Sequence, residues 1–418
     1  MKDIILRQKF ERDRFLSREY VPREKLNYAK QWLNSDLVKV IIGPRRAGKS
    51  TFAFMLLKNI PFMYFNFDEE ITHGLEDTDR LMENLHAVYG DLRTVFFDEI
   101  QNLPRWELFI NRLHREGYNV ILTGSNARLL STEIATALTG RHIPIEIMPF
   151  NFREFLSARG VTIDTEELIL PQSKGTLLNL VDEFLLNGGF PEVVLKNFDP
   201  FDYLRILFES IVFKDIVRRY NVRFPNQIVS LAEYLINNFA RYYTSRKIEN
   251  VLEMRSVTTV EKYLPYLEDA FLFVYLKRFN YKPSTRIKSP RKVYVIDNGY
   301  IMAKSLRFSK DHGRLMENLV FTELMKCGVK QLFYYNTRNR REVDFVIKRG
   351  IRDYSLLQVS YDVSSPDTLS REIKALVEAS EELNSGELTI LTWDEEKEEK
   401  KKGKTIKFIP LWKWLLGK

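Results

Sequence analysis

Cysteine is nearly absent from this chain: Cys327 is the single one among 418 residues. That excludes a disulfide framework and any cysteine-based zinc site, and it fits a reducing compartment. The five histidines are scattered without metal-ligand spacing. No window approaches the ~18 apolar residues that a membrane span needs. The first residues carry Lys2, Asp3, Arg7, Lys9, Glu11 and Arg12 where a signal peptide would need an apolar core. Together these absences predict a cytoplasmic protein with no membrane partner. Glutamine is scarce beside Lys, Glu and Arg, a balance that would suit a thermophilic source.

Apolar residues make up 44% of the chain, enough for each of the roughly two to four domains that the length suggests to own a core. Against 56 acidic side chains stand 64 basic ones, a formal charge of +8. Where that surplus sits matters more than its size.

Gly43-Pro44-Arg45-Arg46-Ala47-Gly48-Lys49-Ser50 fits the G-x-x-x-x-G-K-[ST] phosphate-binding loop at every fixed position. A β-branched-rich run (Leu37, Val38, Val40, Ile41, Ile42) precedes it, and a helical pattern (Thr51, Phe52, Phe54, Met55, Leu57) follows, the order that the motif needs. A triphosphate must leave water without losing its hydrogen bonds, and backbone N–H groups supply the replacement. Gly43 and Gly48 let the main chain wrap the β-phosphate. Lys49 places a point charge between β- and γ-phosphates, and Ser50 offers a hydroxyl to Mg²⁺, with Thr51 a spare hydroxyl beside it. ATP and Mg²⁺ are the expected cofactors.

Downstream, Pro61 to Phe67 reads as a buried strand. Thr94-Val95-Phe96-Phe97-Asp98-Glu99-Ile100 is a second, delivering two carboxylates at its C-terminal end, where ligands bind in open α/β sheets. Asp98 is expected to hold the Mg²⁺ shell and Glu99 to orient and deprotonate the attacking water. Asn119 to Asn126 is another strand ending in small polar groups. Thr123, Ser125 or Asn126 either senses the γ-phosphate or the water, or simply forms a capped strand-to-helix turn. Arg141, ahead of a last strand at Ile143 to Ile147, is a candidate charge stabiliser, in its own site or in a neighbouring copy's, with a plain surface Arg as the alternative.

These residues carry a family resemblance. The phosphate loop, Asp98-Glu99-Ile100-Gln101, Thr123-Gly124-Ser125, Thr139-Gly140-Arg141 and Pro149-Phe150-Asn151-Phe152-Arg153-Glu154-Phe155 together resemble the archaeal and bacterial AAA-type ATPases with a C-terminal DUF4143 region. Gly188-Gly189-Phe190-Pro191-Glu192 and Lys214-Asp215-Ile216-Val217-Arg218-Arg219-Tyr220 match habitual stretches of the same group. The resemblance implies an α/β protein with a P-loop AAA-type core and parallel sheet over residues 1–150, led by an Arg-rich segment (1–34) packed beside the nucleotide site. A helical lid or connector (151–235), a winged helix-turn-helix (236–298) and a restriction-endonuclease-like α/β domain (299–418) would follow.

In the winged-helix stretch, Ser245 starts one helix, and Thr258-Thr259-Val260-Glu261 reads as a capping box opening a second, which Pro265 should kink. Phe271 to Arg278 and Lys292 to Ile296 read as the strands of the wing. Between and at the ends of them lie Lys277, Arg278, Lys282, Arg286, Lys288, Arg291 and Lys292 with no acidic residue, and with Phe279 and Tyr281 interleaved. Residues 205 to 297 hold 17 basic and 9 acidic side chains, a surplus equal to the net charge of the whole chain. Such a wing suits a DNA backbone, or else is a solvated loop facing the acidic stretch 66–107.

The last domain resembles the PD-(D/E)XK nuclease fold, whose active members bind Mg²⁺ with a helix carboxylate, a strand Asp and a Glu-x-Lys on the next strand. Glu317 and Asp344 match, but the third element is Gln358-Val359-Ser360. Gln offers only a neutral carbonyl and Ser no cation, so the site is expected to be degenerate. Asp394 to Lys407 reads as a solvated charged hairpin before the Trp412 and Trp414 tail. The sequence as a whole predicts a Mg-dependent ATPase coupled to DNA binding. Its rivals are a nucleotide-dependent switch acting on a protein partner, and an active ATP-dependent nuclease. Homo-oligomerisation stays open.

Overall fold

The run Val38–Ile42 forms a strand, β1, covered on both faces, as its unbroken apolar character requires. In the computed structural model, residues 1–69, 77–126, 138, 140–163, 170–305, 311–350 and 353–417 are described. They fall into two units, residues 1–150 with 269–271, and the remainder. Among the described residues no helix is long and apolar enough to cross a membrane.

In the first unit β1 joins β2 (Met63–Asn66), β3 (Thr94–Asp98), β4 (Asn119–Gly124) and β5 (His142–Glu146) in a parallel sheet of order β2-β3-β4-β1-β5. Because β4 lies between β1 and β3, Ile41 pairs with Thr123 and Phe97 with Leu122. The carboxyl ends of the three central strands therefore lie side by side, which brings Gly43, Asp98 and Thr123 to one edge. The Lys49–Leu57 helix is fixed over this sheet by aromatic packing: the Phe54 ring lies 5.3 Å from Tyr64 and 5.4 Å, edge on, from Phe96. Burial of each such ring is worth about 2–3 kcal/mol.

The leader begins with a helix, Lys2–Leu16, whose buried Gln8 clasps Asn66 at the end of β2. Its amide donates to the Asn66 carbonyl at 3.1 Å and accepts from the Asn66 N–H at 2.9 Å.

The second unit opens with helices, of which Pro171–Asn187, Pro200–Ser210 and Pro225–Asn237 are the longest. Ile211–Arg218 is wound as a π-helix. A three-stranded antiparallel sheet follows, β6 (Arg241–Tyr243), β7 (Phe273–Leu276) and β8 (Arg291–Val295), in order β6-β8-β7. The helices Ser245–Leu252 and Val257–Asp269 lie between β6 and β7 in the chain. The cap of the second helix is Ser256, whose hydroxyl accepts from the Thr259 N–H at 3.1 Å. The capping box expected at Thr258 and Glu261 is thus corrected by two residues: both already lie inside the helix.

Six further strands form a mixed sheet of order β13-β14-β12-β11-β10-β9: β9 (Leu332–Asn336), β10 (Glu342–Lys348), β11 (Tyr354–Ser360), β12 (Glu387–Thr392), β13 (Lys397–Lys401) and β14 (Lys404–Pro410). The helices His312–Lys326 and Pro366–Leu383 pack on β11, the latter also on β10. The charged run after Asp394 forms a hairpin, β13 antiparallel to β14, with most of its charged side chains exposed. β14 pairs in parallel with β12 and buries Ile406 and Phe408 in the core. Trp412 then donates its indole N–H to Asp394 at 3.0 Å.

Two parts of this unit are tied where separate modules were expected. Gly188 has φ +74°, and a Cβ there would lie 1.7 Å from the Asp297 carboxylate. Asp297 accepts hydrogen bonds from Gly189 N–H at 2.8 Å and Gly299 N–H at 2.9 Å. The Gly188-Gly189 pair thus joins the helical segment to the residue that leaves β8. Burial pushes the Asp297 carboxyl up to about 6, against the pull of Lys326 and these two amides.

Candidate functional site

Gly43 to Gly48 form the loop between β1 and the Lys49–Leu57 helix, whose first two residues are Lys49 and Ser50. The backbone conformation explains two of them. Gly43 has φ +149°, and a Cβ would sit 1.9 Å from the Ile147 carbonyl; Gly48 has φ +88°. Arg46 takes φ +67° without being glycine. The Lys49 ammonium is buried and turns back onto its own loop, donating to the Pro44 carbonyl at 3.0 Å.

Ser50 donates to Asp98 at 2.9 Å, and Thr123 donates to the same carboxylate oxygen. Tyr64 reaches the other oxygen at 3.4 Å. Burial, and then the neighbouring Glu99, push the Asp98 carboxyl up to about 6, opposed by the Thr123 and Ser50 hydroxyls and the Lys49 charge. A second cation would relieve that strain. The oxygen donors Ser50 and Asp98 suit hard Mg²⁺, which keeps several waters and phosphate oxygens among its ligands. The residues present therefore fit Mg²⁺ with a nucleoside triphosphate: Gly43, Gly48 and Lys49 on the phosphates, Ser50 and Asp98 on the metal. Thr51 lies in the same first turn, half-buried. The metal would supply charge neutralisation at the phosphates.

Glu99 adopts φ +52°, which turns its side chain away from the strand direction. Its N–H donates to Thr123 at 2.9 Å, and its carboxylate accepts from Gln101, whose amide also lies 3.5 Å from Ser125. Ser125 and Asn126 are both buried at this edge. Gln101 thus grips Glu99 from within the same Asp98-Glu99-Ile100-Gln101 stretch. Arg23 escaped sequence reasoning entirely. Its buried guanidinium donates to the Ala47 carbonyl at 3.0 Å and to Met148 at 2.5 Å, bracing the phosphate loop from behind. A lone Arg in an Arg-rich leader carries no local signal of this.

Arg141 lies apart from these residues. The Val38 N–H donates to its carbonyl at 2.9 Å, so it stands exposed at the N-terminal edge of the sheet. That is a strand length, about 16 Å at ~3.3 Å per residue, from the loop that leaves β1. It does not reach the phosphates of its own site. Thr139 lies outside the described residues.

Comparison with known proteins agrees with this geometry. An AAA domain family matches residues 35–156, a domain of unknown function, DUF8612, residues 178–311, and a domain of unknown function, DUF4143, residues 312–414. Uncharacterized protein MJ1544 of Methanocaldococcus jannaschii is 36% identical over 399 residues, covering 91% of this chain and 88% of that protein. The chain belongs to the AAA-type P-loop ATPase family with a DUF4143 C-terminus. An uncharacterized protein of Haemophilus influenzae is 30% identical over 83% of this AAA-type chain and 88% of its own. Among solved structures, the Walker-type ATPase PABY2304 of Pyrococcus abyssi aligns at a TM-score of 0.44 and 14% identity, over 68% of this chain and 95% of that one.

In the second unit Glu317, Asp344 and Gln358 converge, as a nuclease-like site would require, but a cation already stands among them. Lys292 of β8, 3% exposed at its side chain, places its ammonium 2.6 Å from Glu317, 2.6 Å from Glu342 and 3.5 Å from Asp344. Burial alone would lower the Lys292 pKa; the carboxylates, Glu317 foremost, override this and hold it well above the usual lysine value. Gln358 is committed as well: its carbonyl accepts from the Asp344 N–H at 3.1 Å, and its amide donates to Glu372 at 2.5 Å.

Lys292 is therefore not a DNA contact. Arg278 is half-buried and donates to the Asn336 carbonyl at 3.0 Å. Phe279, expected to interleave with DNA, lies in the core of the C-terminal sheet, and its N–H donates to Tyr334 at 2.7 Å. The segment after β7 thus runs along β9 instead of projecting as a free wing. Arg291 and Arg286 are half-buried, whereas Lys277, Lys282 and Lys288 are exposed. Pro283–Lys288 is a short helix, not a loop.

Proposed function

We propose that this AAA-type protein is a Mg²⁺-dependent ATPase whose nucleotide state controls DNA binding by its second unit. The observation that carries the ATPase part is the meeting of Ser50, Asp98 and Thr123 beside the Lys49 ammonium, with Glu99 next in the chain. Lys49 neutralises phosphate charge, Ser50 and Asp98 hold the metal, and Glu99 accepts the proton of the attacking water once Gln101 yields it. Ser125 and Asn126 border the same space. Arg141, exposed at the far edge, would act only on the site of another copy, so that hydrolysis would need an oligomer.

Lys49→Ala should abolish tight ATP binding, whereas Glu99→Gln should keep binding and slow hydrolysis at least tenfold, because an amide preserves shape but accepts no proton. Equal loss of binding in both variants would sink this division of roles. Support for the DNA part is the basic surplus of residues 205–297. Stimulation of turnover by DNA is its test. The protein-partner reading draws on exposed apolar side chains, Ile206 at 62% and Phe213 at 51%, in the helical segment; turnover indifferent to DNA would favour it.

A further inference from the structure

Arg223, Arg255 and Lys262 come from three separate segments of the second unit to line one cavity of about 410 Å³. Arg223 precedes the Pro225–Asn237 helix, Arg255 lies in the turn between the two winged-helix helices, and Lys262 is on the second of them. All three are exposed, and the lining includes no acidic side chain. Both guanidinium groups lie over one ring, Phe224, at 5.4 Å for Arg223 and 4.8 Å for Arg255. Some other arginines of this unit meet carboxylates, as Arg341 does Glu378 and Arg314 does Asp311. Like charges gathered around a ring without a counter-charge repel one another, and an anion placed among them removes that repulsion.

The rest of the lining narrows the anion's chemistry. Tyr220 and Tyr266 stack face to face, with centroids 3.8 Å apart and planes inclined by 7°, and Tyr263 adjoins them at 6.1 Å. Tyr220 and Tyr266 are half-buried, so their stack is partly exposed at its edge, and cations beside such an aromatic stack are what successive phosphates and bases of an unpaired strand require. A duplex keeps its bases stacked within, out of reach of such a cavity. The second winged-helix helix also exposes Glu261 and Pro265 on its outer side, which suits insertion into a DNA groove poorly. We propose that this cavity binds a single nucleic-acid strand, with Arg223, Arg255 and Lys262 on phosphates and a base against the Tyr220–Tyr266 stack. The proposal rests on the reading of the second unit as DNA-binding and moves its main contact from the wing to this cavity.

The test is fluorescence anisotropy of the full chain with a labelled oligothymidine strand, over about 50 to 200 mM salt. Arg223→Gln, Arg255→Gln and Lys262→Gln are combined in one variant, and Lys277→Gln, Lys282→Gln and Lys288→Gln in another. Circular dichroism verifies that both fold. If three phosphates are contacted, the cavity variant's log-log salt slope should fall by up to about 2.1, at ~0.7 per phosphate of a single strand. Across that fourfold salt rise it should then lose ~18-fold less affinity than the wild type. The wing variant should change less. An unchanged slope and affinity in the cavity variant, with the wild type binding the strand, overturns the cavity and leaves the DNA reading standing. Competition by inorganic phosphate or by duplex DNA as effective as by the strand overturns the single-strand assignment. No binding by the wild type at low salt overturns the DNA reading itself.

Discussion

Lys292→Met is the perturbation that bears hardest on the second unit. Methionine nearly matches lysine in length and tolerates burial, so the variant removes a charge and little volume. Left behind are Glu317 and Glu342, each formerly 2.6 Å from the ammonium, and Asp344 at 3.5 Å. Only partial relief is at hand: Tyr294 still donates to Glu317 at 2.6 Å and Tyr242 to Glu342 at 2.5 Å. Removing one partner of a buried ionic group costs about 3–5 kcal/mol, because the uncompensated charge stays buried. In hydrogen exchange that is about 200- to 5000-fold less protection, at ~1.36 kcal/mol per tenfold change. Peptides from β10 and β11, which belong to this unit alone, should report it.

The pH dependence supplies a second, independent readout. Burial first, then Glu317, hold the Asp344 carboxyl well above the usual carboxylate range, against the pull of Lys292. A carboxylate whose folded-state pKa is raised destabilises the fold progressively as pH climbs from its unfolded value through its folded one. Without Lys292 that value rises further, so the variant's deficit should be larger at pH 8 than at pH 5.5. Lys292 itself adds no slope there, since its raised pKa keeps its contribution full until the alkaline range. Wild-type protection in Lys292→Met at pH 8, or a deficit that grows on acidification, would refute the buried ionic cluster.

Two further outcomes are expected. Gly188→Ala should destabilise the second unit by about 3 kcal/mol, because φ +74° and a Cβ 1.7 Å from Asp297 both oppose it; an unchanged denaturation midpoint would contradict the tie to Asp297. The protein should not nick plasmid DNA with Mg²⁺ or Mn²⁺, and Gln358→Glu with Ser360→Lys should stay inactive while Lys292 stands among Glu317, Glu342 and Asp344. Wild-type nicking abolished by Asp344→Ala would reverse that conclusion.

The phosphate loop and the Asp98-Glu99 strand were legible because their signals are local: fixed glycines, one lysine, and apolar runs with a defined order. That Thr123 would be the residue touching Asp98 needed the sheet order, which sets β4 between β1 and β3. The position of Arg141 was within reach of the same reasoning. In a parallel sheet with its ligand at the carboxyl ends, a residue ahead of a strand lies at the wrong edge. Arg23 was beyond reach, since its partners Ala47 and Met148 are distant in the chain and are met through their carbonyls, whatever their side chains. Lys292 was miscounted as wing because charge totals ignore burial. A signal was nonetheless present: in Arg291-Lys292-Val293-Tyr294-Val295 the alternation of a strand places Lys292 on the same side as Tyr294. Both meet Glu317.

Lys292 and Gln358 act in the same electrostatic direction. A cluster of Glu317, Glu342, Asp344 and Glu372 with a glutamate at 358 would hold five carboxylates and call for a divalent cation. Glutamine removes one of those charges, and the β8 ammonium neutralises another from outside the C-terminal sheet. Because that ammonium belongs to the three-stranded sheet, the ion cluster couples β8 to β10 and to the His312–Lys326 helix with no metal required. The same coupling runs along residues 277–279, which hydrogen-bond to β9. Force applied at the Arg223–Arg255–Lys262 cavity by a bound strand would therefore pass into the C-terminal sheet as into one body. The sheet is thereby fastened to β8, with Asp344 and Glu317 as counter-ions of Lys292.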